Sequence, residues 1–172
     1  WRTPDTTVVL DSVTGVVTPA VDSGTARIQV GLFGKDTILS SLTALTLTLT
    51  RRADSLVLTS ADSLTVSRDT LDSVTLQVTL FGGSPAVGVR SRPVSFRVVD
   101  PAPSDSPSVV FNNGRSGDSV LTASNGVANA TVRGAKRRPI PDRAVIEIFA
   151  YRADGQPLPG SGRRVVVRFE HQ

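Results

Sequence analysis

The chain has 172 residues with no Cys and no Met, a single His and a net charge of +4. The lack of Cys excludes disulfide bonds, thiolate nucleophiles and Cys-ligated zinc or iron–sulfur sites. No apolar stretch of the sequence approaches the roughly 20 residues of a membrane-spanning helix. The whole charge excess lies in residues 101–172, which carry ten basic and six acidic groups.

The first residue, Trp1, predicts that a leading segment has been removed. An initiating Met is removed inefficiently before so bulky a residue, and the chain contains no Met at all. Mature exported chains begin where their signal peptide ended. We therefore expect an extracytoplasmic protein, in the periplasm or at the cell surface, after removal of an N-terminal export segment. A truncated chain is the alternative.

Apolar residues alternate with hydroxyl and other polar residues over several stretches. In chain order, the apolar sets are Ala26, Ile28, Val30 and Leu32; Leu45, Leu47 and Leu49; Val74, Leu76, Val78 and Leu80; and Val94, Phe96 and Val98. A period of two places one set on the buried face of a strand and the other in solvent, which a helix cannot do. The pattern predicts an all-β fold with an aliphatic core.

A short Asp-Ser-Leu or Asp-Ser-Val unit recurs before the apolar stretches. Its five copies begin at Asp11, Asp54, Asp62, Asp72 and Asp118. Asp and Ser side chains stabilise turns by hydrogen bonding to the neighbouring backbone. We predict that each unit turns the chain and starts a strand.

A segment with three prolines, residues 101–107, interrupts the strand pattern. Pro lacks the amide donor of a central strand, and Pro-rich segments with small polar residues are typical of linkers. We predict an antiparallel β-sandwich over 1–100, a linker over 101–107 and a smaller β domain over 108–172. The second domain has few predicted strands, so it is expected to be completed by a neighbour.

Several segments carry a resemblance to a known family. They are Val74 to Phe81, Gly82-Gly83-Ser84-Pro85, the run Pro93-Val94-Ser95-Phe96-Arg97-Val98-Val99, Ser124-Asn125-Gly126-Val127-Ala128, and Arg163 to Phe169. The chain resembles the bacterial immunoglobulin-like (Big-type) domains that occur in tandem in exported proteins. In that resemblance, Pro93 to Val99 belongs to the closing hairpin of the first domain.

The resemblance implies two immunoglobulin-like antiparallel β-sandwich domains that serve in adhesion, spacing or assembly, with no shared catalytic residues. The chain departs from the antibody pattern, because it has no Cys pair, core Trp or tyrosine-corner Tyr. These departures concern the order of strands in the sheets.

Residue sets for catalysis and metal binding are missing from the sequence. The single His, His171, lies one residue from the last position, where we expect a solvated side chain. A Ser-His-Asp triad and a His-ligated metal site are therefore not expected. We expect no enzyme activity, no cofactor and no metal. Only Trp1 and Tyr151 are candidate aromatic platforms for a sugar.

Six basic residues form the candidate partner-binding site. They are Lys136, Arg137, Arg138, Arg143, Arg163 and Arg164. Arg makes forked hydrogen bonds with carboxylates and phosphates, so an acidic protein surface or anionic lipid headgroups are the expected partners if the six meet at one end of the domain. Solvated loops are the alternative. Nucleic acid is not expected, because no aromatic side chains accompany the arginines for base stacking.

These features favour a non-catalytic structural or accessory subunit. Such a subunit would bind and stabilise a larger extracytoplasmic or membrane-associated assembly through its protein partners. The alternative is a tandem immunoglobulin-like segment of a surface adhesin or extracellular filament. A hydrolase would need two carboxylates in a cleft, and Glu147, between Ile146 and Ile148, is instead expected to point into solvent.

Overall fold

The structure is a computed structural model that describes residues 1–21, 24–33, 38–49, 51–68, 72–104, 106–135 and 139–170. For residues 31–33 and 38–43 it describes the backbone alone. Within these ranges the chain forms fourteen β-strands and no helix, which confirms the all-β prediction. No helix long and apolar enough to cross a membrane occurs among these residues.

The strands are numbered β1 to β14 in chain order. They are β1 (Val8–Leu10), β2 (Val17–Pro19), β3 (Gly24–Phe33), β4 (Ile38–Leu49), β5 (Ser55–Leu58), β6 (Ser63–Ser67), β7 (Ser73–Gly82), β8 (Val87–Gly88), β9 (Pro93–Asp100), β10 (Val109–Phe111), β11 (Gly117–Leu121), β12 (Val127–Gly134), β13 (Arg143–Phe149) and β14 (Arg163–Glu170).

The chain divides into two compact units, Trp1–Arg52 and Ala53–Gln172. This corrects the predicted division into 1–100, a linker over 101–107 and 108–172. β7 pairs with β12, and β9 pairs with β11 and β13, so strands on both sides of the Pro-rich segment share sheets. The segment carries the chain from one sheet to the other. Prolines end a strand before a linker and before such a crossover alike, so the pattern could not separate the two.

The unit Ala53–Gln172 contains two five-stranded sheets. Sheet I has the order β10-β12-β7-β5, with β8 also pairing with β7, and sheet II has the order β11-β9-β13-β14-β6. All pairs in these sheets are antiparallel except β6 and β14, which run parallel. β9, which the resemblance placed in a closing hairpin, lies inside sheet II between β11 and β13.

Both sheets contribute side chains to one hydrophobic core. Leu76 and Leu80 of β7 and Ile146 of β13 are fully buried, which confirms the period-two alternation in these strands. Phe96 of sheet II and Phe111 of sheet I meet with ring centroids 6.3 Å apart and planes tilted by 55°, an arrangement that aromatic pairs favour. The unit is therefore a two-layer, sandwich-like structure with its core between the sheets.

The unit Trp1–Arg52 consists of two two-stranded sheets, β1–β2 and β3–β4. Three buried side chains from β1 and β3 form its core. β1 and β2 are three residues long, whereas β3 has ten and β4 twelve. Leu47 and Leu49 pack against this core as predicted, but Leu45 is 52% exposed. The predicted burial of Leu32 falls on a residue whose side chain lies outside the described part.

Three of the Asp-Ser units start a strand as predicted. β5, β6 and β7 each begin at the Ser of the unit, at Ser55, Ser63 and Ser73. Asp118 instead lies within β11, and after Asp11 the next strand begins only at Val17. Turn chemistry therefore predicted the strand starts in the region between residues 53 and 82 and was less informative elsewhere.

Candidate partner-binding surfaces

The structure separates the predicted basic residues that it describes. The members of the set that lie outside the described residues are Lys136, Arg137 and Arg138. Arg143 begins β13 and lies opposite Arg168 of β14. Arg163 and Arg164 begin β14 at the other end of the same ladder, where Arg163 lies opposite Ile148. Five residues along the strand, roughly 16 Å, separate Arg143 from this end of the ladder. Arg143 therefore does not cluster with the other two arginines.

The outer face of sheet II carries a row of charges across three strands. Glu147 of β13 lies opposite Arg97 of β9 and opposite Arg164 of β14. Arg164 Nε donates a hydrogen bond to Glu147 Oε1 at 3.1 Å. The neighbours Ile146 and Ile148 are buried, so the prediction that Glu147 points outward is confirmed. Opposite charges directly across a sheet stabilise it.

A second row on the same face joins two arginines. Arg143 and Arg168 lie directly opposite each other, and both point outward because Ala144 and Val167 beside them are buried. Arg143 Nε lies 3.9 Å from Asp100 Oδ2, and both side chains are exposed. Among the described residues, Arg168 has no hydrogen-bond or ion-pair partner for its side chain.

An open groove of about 560 Å³ lies at this second row. Its lining includes Arg68, Asp142, Arg143, Val166, Arg168 and Glu170. Arg68 is fixed in the groove wall, because its Nη2 donates to the Asp142 carboxylate and, at 3.2 Å, to the carbonyl oxygen of Phe169. Its side chain is 21% exposed. The groove thus presents three guanidinium groups, of which that of Arg68 is held in place.

Three of these arginines were not among the predicted site residues: Arg68, Arg97 and Arg168. Arg97 lies between Phe96 and Val98 within an apolar alternation, and Arg168 lies between Val167 and Phe169 in the same way. A single Arg at a position that alternates with apolar residues indicates a side chain on the outer face of the strand. The contact of Arg168 with Arg143 depends on strand register, for which the sequence carried no signal.

The aromatic candidates differ in their surroundings. Tyr151 is 53% exposed and stacks on Phe149, with ring centroids 5.9 Å apart and planes at 8°. Trp1 is 44% exposed, and its indole fills the space where a Cβ on Gly15 would lie. Gly15 also has a φ of 75°, a conformation that suits glycine. One face of Trp1 is therefore a packing surface of this turn.

The carboxylate of Asp11 has a structural role in the same turn. Its Oδ1 accepts hydrogen bonds from the backbone amides of Val13 at 2.8 Å and Thr14 at 3.1 Å. The hydrogen bond from the Thr14 side chain, followed by those from the two amides, holds the pKa of Asp11 below its ordinary value. Each donor stabilises the charged form of the carboxyl group.

The β3–β4 hairpin has one edge that is covered. Alternate residues of β3 direct their amide and carbonyl groups away from β4, and the first residues of the chain bind them. Gln29 and Arg2 exchange two backbone hydrogen bonds, of 2.8 and 3.0 Å. The amide of Arg27 donates to the Asp5 carboxylate at 2.6 Å, and Thr3 Oγ1 donates to the Arg27 carbonyl at 2.8 Å. This edge of β3 is therefore satisfied.

The other edge of the hairpin, on β4, has no such cover. Two residues directly opposite each other in an antiparallel pair either both hydrogen-bond to each other or both direct their backbone groups away from each other. Ala44 lies opposite Gln29 and Thr46 opposite Arg27, so their amides and carbonyls point away from β3, and those of Thr48 do so by alternation. All three side chains are exposed. No residue of the described chain bonds to these backbone groups.

Groups of three or more His, Cys, Asp or Glu placed to hold a metal ion are absent from the described ranges. His171 lies outside those ranges. No model of a known family and no curated protein matches the sequence. The resemblance to bacterial immunoglobulin-like domains therefore stays a prediction from the residue pattern.

Proposed function

We propose that the chain is a non-catalytic structural or accessory subunit that binds and stabilises a larger extracytoplasmic or membrane-associated protein assembly. The open edge of β4 carries this proposal. A strand edge presents a row of amide and carbonyl groups, and an extended segment of a partner can pair with it as an added strand. Ala44, Thr46 and Thr48 supply three successive pairing positions of this kind.

The composition of β4 supports an edge that is paired in the functional state. Proteins protect free edges with charged residues, prolines or short strands. Ile38–Leu49 has twelve residues and includes no charged residue and no proline. Two register shifts interrupt its ladder with β3 before residue 43, so the regular edge covers residues 43–49, about 23 Å, and such an edge would promote aggregation if it stayed free. A partner strand removes that liability and at the same time anchors the subunit.

We propose an immunoglobulin-like relationship for the unit Ala53–Gln172 alone. Two sheets that share one core support it. The unit Trp1–Arg52 has two-stranded sheets and three buried core residues, which gives no such support. An extracytoplasmic location stays a prediction from the sequence.

The test is a pair of substitutions at one position of β4. Thr46→Pro removes an amide that points to the open edge, and it leaves the ladder with β3 intact because Thr46 does not donate to β3. Thr46→Val keeps the amide and the β-branched shape. We expect native mass spectrometry of gently solubilised source material to show a complex of fixed stoichiometry for the unchanged chain and for Thr46→Val. Thr46→Pro should appear as the free chain.

Two results would contradict the proposal. Recovery of the unchanged chain only as a free monomer would leave no assembly to stabilise. Equal recovery of the complex with Thr46→Pro and Thr46→Val would show that the β4 edge is not the contact. Parallel samples in high salt separate this contact from ionic ones, because salt screens exposed charges and leaves backbone hydrogen bonds largely unaffected.

The alternative function is a segment of a surface adhesin or extracellular filament. The same observation favours it in a different form, in which the β4 edge of one copy pairs with a different surface of the next copy, whereas two β4 edges pairing with each other would stop at a dimer. Pairing through unlike surfaces leads to open polymers. A polydisperse series of homo-oligomers in the mass spectrum, lost in Thr46→Pro, would select this alternative over the subunit.

A further inference from the structure

We propose that the groove at Arg143 and Arg168 binds a carboxylate group of an acidic segment of a protein partner. The site lies in the unit Ala53–Gln172 and involves Arg68 and Arg168. This proposal deepens the proposed function. It rests on that function in one respect, because the bound carboxylate is taken to belong to a protein partner.

The first step is the juxtaposition of two like charges. Arg143 and Arg168 lie directly opposite on neighbouring strands, where Cβ atoms are about 5 Å apart and like charges destabilise the sheet. The contact of Arg143 with Asp100 is long, 3.9 Å, and both side chains are more than half exposed. Such a pair contributes little. An anion between the two guanidinium groups would relieve this repulsion further.

The second step is the fixed third guanidinium. Arg68 donates to the Asp142 carboxylate and to the Phe169 carbonyl oxygen, and its side chain is largely buried. These contacts hold it at the groove without any ligand. A wall that is ordered in advance lowers the entropy cost of binding. Arg143 is 70% exposed, so the open side of the groove remains accessible to a partner.

The third step is the choice of anion. The groove lining has three arginines and the two carboxylates of Asp142 and Glu170, and a singly charged carboxylate neutralises this excess of one positive charge whereas a phosphate dianion would exceed it. Val166 adds an apolar side chain to the same lining, which suits the methylene groups of a Glu or Asp side chain. Arg binds carboxylates through two parallel hydrogen bonds. Charge and shape together favour a carboxylate on a polypeptide over a phosphate or a lipid headgroup.

The experiment is a calorimetric titration of the full chain with a short peptide that alternates Glu and Val and has both ends blocked. The same peptide with Gln in place of Glu is the matched ligand control. Arg168→Gln removes one guanidinium of the groove, and Arg163→Gln removes the same charge at the far end of β14. We expect Arg168→Gln to weaken binding by about tenfold to a hundredfold, and Arg163→Gln to change it less than threefold.

A stability measurement keeps the test independent of folding failure. Because Arg168 faces a like charge, Arg168→Gln should unfold at the same or a higher denaturant concentration than the unchanged chain when no peptide is present. A variant that folds at least as well and binds less tightly points to a binding role. A variant that loses stability as well as binding would instead assign Arg168 to the structure and overturn the proposal.

Other ligands supply the remaining outcomes. Equal weakening by Arg163→Gln would reduce the effect to the overall positive field. Equal binding of the Gln peptide would show that the carboxylate is not recognised and would overturn the proposal. Tighter binding of inorganic phosphate, or of phosphatidylglycerol vesicles, would replace the carboxylate by a phosphate source. A version of the peptide with a free C-terminus distinguishes a terminal carboxylate from a side-chain one. None of these outcomes depends on the β4 edge, so failure here and failure of Thr46→Pro are distinguishable.

Discussion

The two units of the chain differ in the length of their edge strands. In Ala53–Gln172 the edge strands β5, β6, β8, β10 and β11 have five residues or fewer, and the sheets bury one shared core. In Trp1–Arg52 the edge strand β4 has twelve residues and its core has three buried side chains. Short edges offer little to pair with. We therefore expect a partner strand to pair with the smaller unit. The larger unit would contact partners through its side chains.

The largest expected effect is the loss of a core side chain in the larger unit. Phe96 is 1% exposed and Leu121, on the neighbouring strand, is 64% exposed. Phe96→Ala should lower the free energy of unfolding by about 3–5 kcal/mol, and Leu121→Ala should change it by less than about 0.5 kcal/mol. Urea denaturation measures both. A small loss from Phe96→Ala would break the comparison, because the two sheets would then not depend on a shared core.

A smaller effect is expected at a close approach of two backbones. Gly126 has a φ of 81°, and a Cβ there would lie 2.6 Å from Gly88 Cα and from the Leu80 carbonyl oxygen. Gly114 has a φ of 77° with nothing within 4 Å of such a Cβ. Gly114→Ala should cost about 1 kcal/mol of unfolding free energy for the backbone conformation. Gly126→Ala should cost about 1–3 kcal/mol more for the overlap.

Equal losses for the two glycine variants would show that the loop at Gly126 can move away from Gly88. The packing of the larger unit would then be looser at this end than the comparison implies. Thermal unfolding of both variants, read by circular dichroism, is sufficient to separate the two cases.

The smallest expected effect concerns the turn at Asp11 in the smaller unit. The pKa of Asp11 is lower in the folded chain than its ordinary value of 3.8. Its stabilising contribution is therefore fully present above the unfolded pKa and is lost as the pH falls through the lower folded pKa. Thr14→Ala should raise the pKa of Asp11 toward 3.8 and weaken this acid dependence. An NMR titration of the carboxyl group measures the shift, with Thr18→Ala as the control.

The alternation of apolar residues predicted the strands because side-chain phase is a local property. Leu76 and Ile146 are buried as their phase requires, and Glu147 points outward between buried neighbours. Leu45 has the right phase but is half exposed, whereas Ile28 directly opposite it is buried, because burial also needs a covering layer over each position. The face on which a side chain lies is set by the sequence of the strand itself. Whether that face is covered depends on other parts of the chain.

The placement of the arginines could not be predicted from spacing. Arg143 and Arg163 were expected at one end of a domain, but antiparallel pairing of β13 and β14 puts them at opposite ends. The same register brings Arg168 beside Arg143. The Pro-rich segment was predicted to be a linker for a similar reason. A crossover between sheets and a linker between domains both require the chain to end its pairing in a sheet, and prolines are found in both. Long-range pairing decided each of these cases.

The parallel pairing of β6 with β14 has a consequence for how the protein is made. Among the strands that the structure describes, β6 joins sheet II only through β14, and Ser63 pairs with Val166. While the ribosome is still translating the stretch before Arg163, β6 has no neighbour in its sheet. Closure of so long a loop is slow. We therefore expect β6 to join its sheet late in folding, after β14 has been made.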